Sequence, residues 1–587
     1  MRSQLRNLFF AVPLAVAVSV SAQEVGTAAP KKTTTSTSSR QEKAAARKSA
    51  DSEEARRSSS PQYNEPREDE SRDDALKLSL DEAIGTAVKQ NLGVDIQRYD
   101  FRKAGYSARF QYGIFDPLAF ADLQIASQQQ PVTSSIFSSK TDRNLFDLGV
   151  SQNTPTGGSY SVAFNNSRQK SASTFTTVNP AYSSDIGFTF NQPLLRNFGV
   201  DVTRRGINIA RNNLGISREA FRSVMMDTVF AVEQAYYDLI FARENLEVKK
   251  QSRFLASDQE RITQIRIDVG ASAPLDILQP RVAIATREEE VIAAFASVRD
   301  AEDRLRQLMN LPVPEWGRPI LPTERIGFSP VPVNLDDAVS RALELRPEIR
   351  ELGLTRDIRR IQYSYARNQA LPKVDFKLDY GVAGLGGNRI LRDPVTGQPT
   401  GIDRGGYGDA ISQISGFDFP SWTVGFNVGV PIRNIGARAE RKRAELDLKS
   451  TEVDEQRVRQ NILVEVRKAA RDIDTLAKEI GATRAAREAA EKNVDAERKR
   501  YENGMTTNFN VLLIQQQLSD SRSLEISALS AYNKAVAGYH RAVGDLLDAR
   551  NITVDEPQEF DLPRSKFENV GWMNFEKPSE VKSGNDH

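Results

Sequence analysis

The strongest constraint on this chain is that it states one series of motifs twice. Leu80-Asp81-Glu82-Ala83-Ile84 returns as Leu335-Asp336-Asp337-Ala338-Val339. Gly187-Phe188-Thr189-Phe190-Asn191-Gln192-Pro193-Leu194 returns as Gly425-Phe426-Asn427-Val428-Gly429-Val430-Pro431-Ile432. Gly270, followed by Leu275-Asp276-Ile277-Leu278, returns as Gly504, followed by Phe509-Asn510-Val511-Leu512. The pairs keep their order while the offset drifts, as a duplicated unit with unequal loops does. Each copy reads as short helix, strands, long helix, glycine turn, second helix. A duplication of this kind builds a shape; it does not place a catalytic group.

Composition removes most chemistry. Cysteine is absent and the only histidines are His540 and His587. Zinc sites, thiol nucleophiles and Ser-His triads therefore lack raw material, and no metal or cofactor site is expected. His540 lies in a helical run and reads as a surface or seam residue. The 79 basic residues balance 78 acidic ones for a net charge of +1, so no general attraction to nucleic acid follows. The glycine-rich stretch from Gly381 to Gly387 leaves a strand and enters a polar loop, without the following helix that a phosphate cradle needs.

Arg2 and Arg6 precede an apolar stretch from Leu8 to Val20 that ends in Val20-Ser21-Ala22. This pattern predicts a secretory signal peptide over 1–22, cleaved after Ala22. A membrane anchor is the other reading, but the stretch is short for a span and contains Pro13. No other apolar run approaches the roughly 20 residues of a membrane helix. The mature protein is then either soluble or crosses a membrane as strands. Residues 23–77 are polar and charged with almost no large apolar side chains, and predict a disordered leader. The tail over 551–587 has the same character, with Trp572 and Phe575 as its docking candidates.

Two windows lack proline, from Pro193 to Pro274 and from Pro431 to Pro557. In the first, Phe221, Met225, Thr228, Val232, Ala235, Leu239, Ala242 and Leu246 follow the alternating four-and-three spacing of a coiled-coil seam. In the second, Ile462, Val466, Ala469, Ile473, Leu476 and Ile480 do the same. Helices are expected near 204–268 and 434–502, each approaching ~100 Å at 1.5 Å per residue. Gly270 and Gly504 supply the left-handed residue that ends a helix, and new helices are expected near 275–309 and 509–548.

The strands are the second half of the signal. Val374, Phe376, Leu378 and Tyr380 alternate with polar residues, as do Trp422, Val424, Phe426, Val428 and Val430. In the first copy Ile186, Phe188 and Phe190 form a clean strand; Phe120, Leu123 and Ile125 form a less regular one. An additional pair, Leu148-Val150 and Tyr160-Phe164, flanks a Pro155-Thr156-Gly157-Gly158 turn, with polar loops expected over 127–144, 166–182 and 381–421. Alternation alone fits two environments, a half-buried sheet on a soluble core or a membrane strand with lipid on one face and water on the other. The signal peptide, the lack of a membrane helix and the aromatic strands favour the second. About four to six strands per chain cannot close a barrel, which needs at least about eight. Open edges are not tolerated in lipid, so the chain must oligomerise there.

Together these motifs resemble the TolC family of outer-membrane efflux ducts. The resemblance rests on the Leu80-Asp81-Glu82-Ala83 and Leu335-Asp336-Asp337-Ala338 openings, the strand ends Gln192-Pro193-Leu194-Leu195 and Val430-Pro431-Ile432, and the tips Val269-Gly270 and Asn503-Gly504. It implies a mainly α fold with a transmembrane β-barrel portion. Duplicated helical hairpins over 78–330 and 331–550 form a periplasmic α-barrel, and a homotrimer shares its strands in one barrel in outer-membrane lipid. It further implies a passive exit duct of a tripartite efflux or type I secretion system, with Gly270 and Gly504 at the tips that dock on a periplasmic adaptor and an inner-membrane pump. Neither an enzymatic activity nor a cofactor is implied.

The resemblance also implies a periplasmic gate. Tyr501 and Asp276 stand at two of its positions. Thr506 stands where the family carries an arginine, and Asn510 and Leu513 where it carries a ring of aspartates. A Tyr501–Asp276 bond is then the link this sequence retains, although Asp276 equally suits a helix cap. Weaker block by multivalent cations is expected. Two rival readings share features with this one. A periplasmic adaptor shares the hairpin but normally has one of them, and a secreted coiled-coil structural protein needs no alternating aromatic strands.

Overall fold

The computed structural model describes residues 75–131 and 137–553. The expected signal peptide, nearly all of the leader, and the tail with Trp572, Phe575 and His587 lie outside the described residues. The leader ends sooner than its composition suggests. Leu76–Leu78 is a strand (β1) that pairs in parallel with Ile320–Pro322 (β6), because Leu76 and Leu78 have an apolar floor to cover and Leu78 is buried.

The two copies fold alike. Leu80–Gln90 (α1) opens the first and Leu335–Leu345 (α5) the second. Ser79 and Glu82 form a reciprocal capping box at α1, and the Asn334 side chain accepts from the Asp336 amide at 3.2 Å at α5. Asn91 caps Leu92–Tyr112 (α2), and Pro347 starts Pro347–Gln369 (α6). The proline-free windows become Arg205–Asp268 (α3, 64 residues) and Ile435–Glu502 (α8, 68 residues). Leu278–Met309 (α4) and Asn508–Val543 (α9) return from the tips. Helix α9 stops before the expected end near 548. Gly544 adopts φ 87° there, and Leu546–Ala549 forms a separate turn. His540 sits in that last turn, 2.9 Å from Asp545.

The helices make a layer four wide. Helix α2 covers the start of α3, where Arg211 lies over Tyr112, and α4 covers its far half, where Glu288 meets Arg253. On the other flank of α3, α6 comes first, with Arg205 over Tyr365, and α9 follows, with Arg541–Asp227 and Lys534–Asp238 ion pairs. Helix α8 closes the layer against both, through Arg356–Glu455 to α6 and Arg487–Glu525 to α9. The heptad residues Phe221, Met225, Val232 and Leu239 are all buried, as are Ile462, Val466, Ile473 and Ile480.

The main core gathers mid-way along α3, where α1, the end of α4 and the β1–β6 pair converge. It holds charge only in paired form. Glu302 is 1% exposed, accepts from Arg243, Arg306 and the Ile320 amide, and cannot be left alone in that environment. Glu233, fully buried, takes a bidentate pair from Arg550 at 2.8 Å and so pins the end of the second copy onto the first.

Strands Leu118–Gln129 (β2), Lys140–Asn153 (β3), Ser159–Ser171 (β4), Val178–Pro193 (β5), Lys373–Arg392 (β7) and Pro420–Gly429 (β9) form one antiparallel sheet in the order β2-β3-β4-β5-β7-β9. Short Pro399–Asp403 (β8) pairs with the far end of β7. The strands run well beyond the expected limits. Parts of 127–144 and 166–182, read as polar loops, are strand, because main-chain pairing continues where the side chains turn polar on both faces. The stretch 381–421 is not a loop either. It contains the far half of β7, β8, and helix Tyr407–Gly416 (α7). Its glycines have a packing reason: a Cβ on Gly384 would sit 2.0 Å from the Ala410 carbonyl oxygen, so glycine lets α7 lie on the sheet.

Candidate functional site

The sheet has two chemically distinct faces, and its register shows each as a set of rows. Ala119, Val150, Val162, Phe188, Tyr380 and Trp422 stand abreast across six strands. The next row is Ala121, Leu148, Phe164, Ile186, Val382 and Pro420. One residue away, on the opposite face, stand Ser151, Ser161, Thr189, Asp379 and Thr423, with Thr189 donating to Asp379 at 2.9 Å. Asp122, Asp147 and Asp185 share that polar face, and Asn165 donates to Asp185 at 2.8 Å. An apolar band across one face and hydrogen-bonding groups across the other suit a wall between hydrocarbon and water. Strand β2 is less regular because Leu118 and Phe120 lie on the polar face, Leu118 abreast of Ser151 and Phe120 filling the space above Gly149. Among the described residues no helix is long and apolar enough to cross a membrane.

At the opposite end of the long helices are the two tips, built identically. Gly270 has φ 74° and Gly504 φ 68°. The Ala271 amide reaches back to the Arg266 carbonyl at 2.7 Å, and the Met505 amide to the Arg500 carbonyl at 2.8 Å. Val269, Leu275, Met505 and Phe509 leave apolar surface exposed around them.

The candidate gate residues assemble there, with partners other than those expected. Tyr501 is 5% exposed, and its hydroxyl lies 3.4 Å from the Thr263 hydroxyl, not against Asp276. The Asp276 carboxylate accepts the Ala273 amide at 3.1 Å and caps its own turn, which satisfies it locally. Thr506 donates to the Glu497 carboxylate and accepts from the Asn510 amide at 3.1 Å. Leu513 is exposed, at the rim of a groove between α4 and α9.

Three residues outside the expected gate link the tip helices. Arg266 lies over the Tyr501 ring and donates to the Tyr501 carbonyl at 2.6 Å. Gln259 donates to Asn508 at 2.8 Å. Arg287, 3% exposed, donates to the carbonyls of Ser252 and Leu512 and so ties α3, α4 and α9 together. Burial works against its charge and pulls its pKa below the usual arginine value, with Glu290 and Asp520 acting the other way.

A profile of the family described as outer membrane efflux protein matches residues 159–311 and 338–545, one segment in each copy of the duplication. The chain belongs to the outer membrane efflux protein family. Outer membrane protein TolC of Vibrio cholerae serotype O1 is 21% identical over 330 residues, which are 56% of this chain and 69% of that protein. Outer membrane efflux protein BepC of Brucella suis biovar 1 is 26% identical over 124 residues, covering 21% of this chain and 26% of BepC. The solved structure of the Campylobacter jejuni CmeC outer membrane channel superposes with a TM-score of 0.58 at 13% identity, over 80% of this chain and 86% of that one, and shares the fold. This efflux protein is accordingly an outer-membrane channel of a Gram-negative envelope and a member of a transport family, not of an enzyme family. Family membership also disposes of the adaptor and structural coiled-coil readings.

Proposed function

We propose that the chain acts as a homotrimeric, passive exit duct, its sheets contributing to one barrel and its helical layers to one tunnel beneath it. The observation that carries this reading is a pair of exposed apolar seams on the two outer helices of the layer. On α2, Leu92, Ile96, Tyr99 and Phe110 follow heptad spacing and are exposed, Phe110 at 80%. On α8, Ile435, Leu446 and Val453 do the same. Helix α2 leads into β2 and α8 leads out of β9, so both stripes lie next to the sheet at matching heights. A seam of this kind is a coiled-coil half waiting for its partner, and the next copy offers it. The edges of β2 and β9 are open at the same two flanks.

The exposed apolar tips around Gly270 and Gly504 suit docking on a periplasmic adaptor, which in turn engages an inner-membrane pump of a tripartite efflux or type I secretion assembly. The duct itself supplies no energy; it holds a water-lined path. Native mass spectrometry of the purified protein tests the copy number, and planar bilayer recording tests the path. Three copies with a steady ionic conductance are expected. A monomer without conductance overturns the proposal.

A further inference from the structure

The hairpin β3–β4 has no counterpart in the second copy. The duplication matches β5 with β9 and β2 with β7, yet the second copy places only β8 and α7 between its two long strands. We infer that this hairpin is a spanning part of the barrel wall, so that three chains close on eighteen strands where the duplicated core alone supplies twelve. The inference rests on the trimeric reading above.

Four observations carry it. The hairpin lies inside the sheet, between β2 and β5, so the wall is broken without it. Its strands have 14 and 13 residues, where a tilted membrane strand needs about 9–11. The apolar rows run through it without interruption, through Val150 and Val162 in one row and Leu148 and Phe164 in the next, and Ser151 and Ser161 continue the polar face. Its turn is built into the junction where the sheet gives way to helix. The Gly199 amide donates to the Thr156 carbonyl at 3.1 Å, and the Thr156 hydroxyl to Gln192 at 2.8 Å. Gly157, at φ 96°, passes so close to the Asn197 carbonyl oxygen that a Cβ would stand 2.2 Å from it.

Dimensions agree. Four helices side by side, ~9.5 Å apart, span about 38 Å of circumference per chain. Six strands spaced ~4.8 Å and tilted ~40° span about 38 Å as well, and four span only about 25 Å. With the hairpin in the wall, barrel and tunnel meet at equal girth. The bore at membrane level is then about one and a half times that of a twelve-stranded barrel, since diameter grows with strand number. Any constriction on cargo size falls to the tips.

The chain has no cysteine, so single cysteines report cleanly. The full-length protein in liposomes carries Val150→Cys, Ser151→Cys, Ser161→Cys or Val162→Cys, with Phe188→Cys and Thr189→Cys as references on β5, and each variant is weighed by native mass spectrometry. Labelling by a water-soluble maleimide is expected to alternate, at least about tenfold slower at 150, 162 and 188 than at 151, 161 and 189. Trimers that alternate on β5 but label uniformly on the hairpin overturn the inference and leave the duct intact. Alternation in a particle that is not trimeric overturns the count of eighteen together with the proposed duct.

Discussion

The Arg266 guanidinium carbon lies 4.7 Å from the centroid of the Tyr501 ring, and the same side chain donates 2.6 Å to the Tyr501 carbonyl. That carbonyl also takes the Gly504 amide at 3.1 Å. One arginine on the first long helix therefore clasps the C-terminus of the second at its tip. A charged hydrogen bond and a stacked cation together contribute roughly 1–3 kcal/mol per chain. Arg266→Ala is expected to loosen the tips and raise single-channel conductance or its open fraction in planar bilayers. Arg266→Lys recovers only part of the effect, because an ammonium cannot stack and donate with the same planar geometry. Conductance unchanged in both variants removes the clasp from gating.

At the positions proposed to ring the constriction, this chain carries no carboxylate to hold multivalent cations. Asn510 and Leu513 are exposed and carry no charge, while the Asp276 carboxylate is engaged by the Ala273 amide. Block of the current by a trivalent cation such as hexamminecobalt is expected to be weak in the unmodified protein and unchanged by Asp276→Asn. Installing Asn510→Asp with Leu513→Asp is expected to raise cation affinity by about tenfold or more, since the proposed trimer would then present six carboxylates around one axis. Strong block that Asp276→Asn abolishes counts against this account.

Local period was the legible part. The long helices were readable to within a residue or two because Phe221, Met225 and their successors repeat a spacing that only a helix uses, and the tips were readable because Gly270 and Gly504 need the left-handed region. Strand lengths were not. Past Tyr380 the chain turns to Gly381, Gly384, Gly386 and Gly387, a loop-like composition; α7 packs on Gly384 and Gly386, and β5 crowds Gly387. Tyr501 and Asp276 both stand at the tips, as their spacing from Gly270 and Gly504 implies, but the contacts that link the helices there come from far away in sequence. Arg266 meets Tyr501 across 235 positions and Gln259 meets Asn508 across 249. The duplication marks Arg266 only as a pair: Arg266 and Arg500 stand at the same distance before their tip glycines.

Acidity should act on the α3–α6 contact. Burial, with Glu348 and Glu219 close by, pushes the Glu351 carboxyl from 4.5 up to about 7. Arg350 pairs with Glu219 at 3.8 Å and does not neutralise Glu351 itself. The folded chain holds this proton more tightly than the unfolded one. The associated stability is therefore fully present below about pH 4.5 and is lost as the pH rises through about 7. Glu351→Gln is expected to raise the melting temperature at pH 8 and leave it unchanged at pH 5, read by circular dichroism on the detergent-solubilised protein. An equal shift at both pH values assigns the effect to packing, not titration.

Arg287 is the most consequential buried cation near the tips. Its guanidinium is 3% exposed and serves the Ser252 and Leu512 carbonyls, on helices that belong to different copies of the duplication. Removing it strands two buried acceptors, at about 1–3 kcal/mol each, and opens a cavity between α4 and α9. Arg287→Met fills most of that volume but restores neither hydrogen bond. Both Arg287→Ala and Arg287→Met are therefore expected to speed amide exchange in the lower parts of α4 and α9, with the alanine variant faster. Exchange in the core around Leu239 and Ile320 should stay at the level of the unmodified protein, because that core is held by Glu302 and its arginines, not by Arg287. Hydrogen–deuterium exchange read by mass spectrometry separates the two regions. Acceleration spread evenly over both would mean that the tip and the core open as one unit.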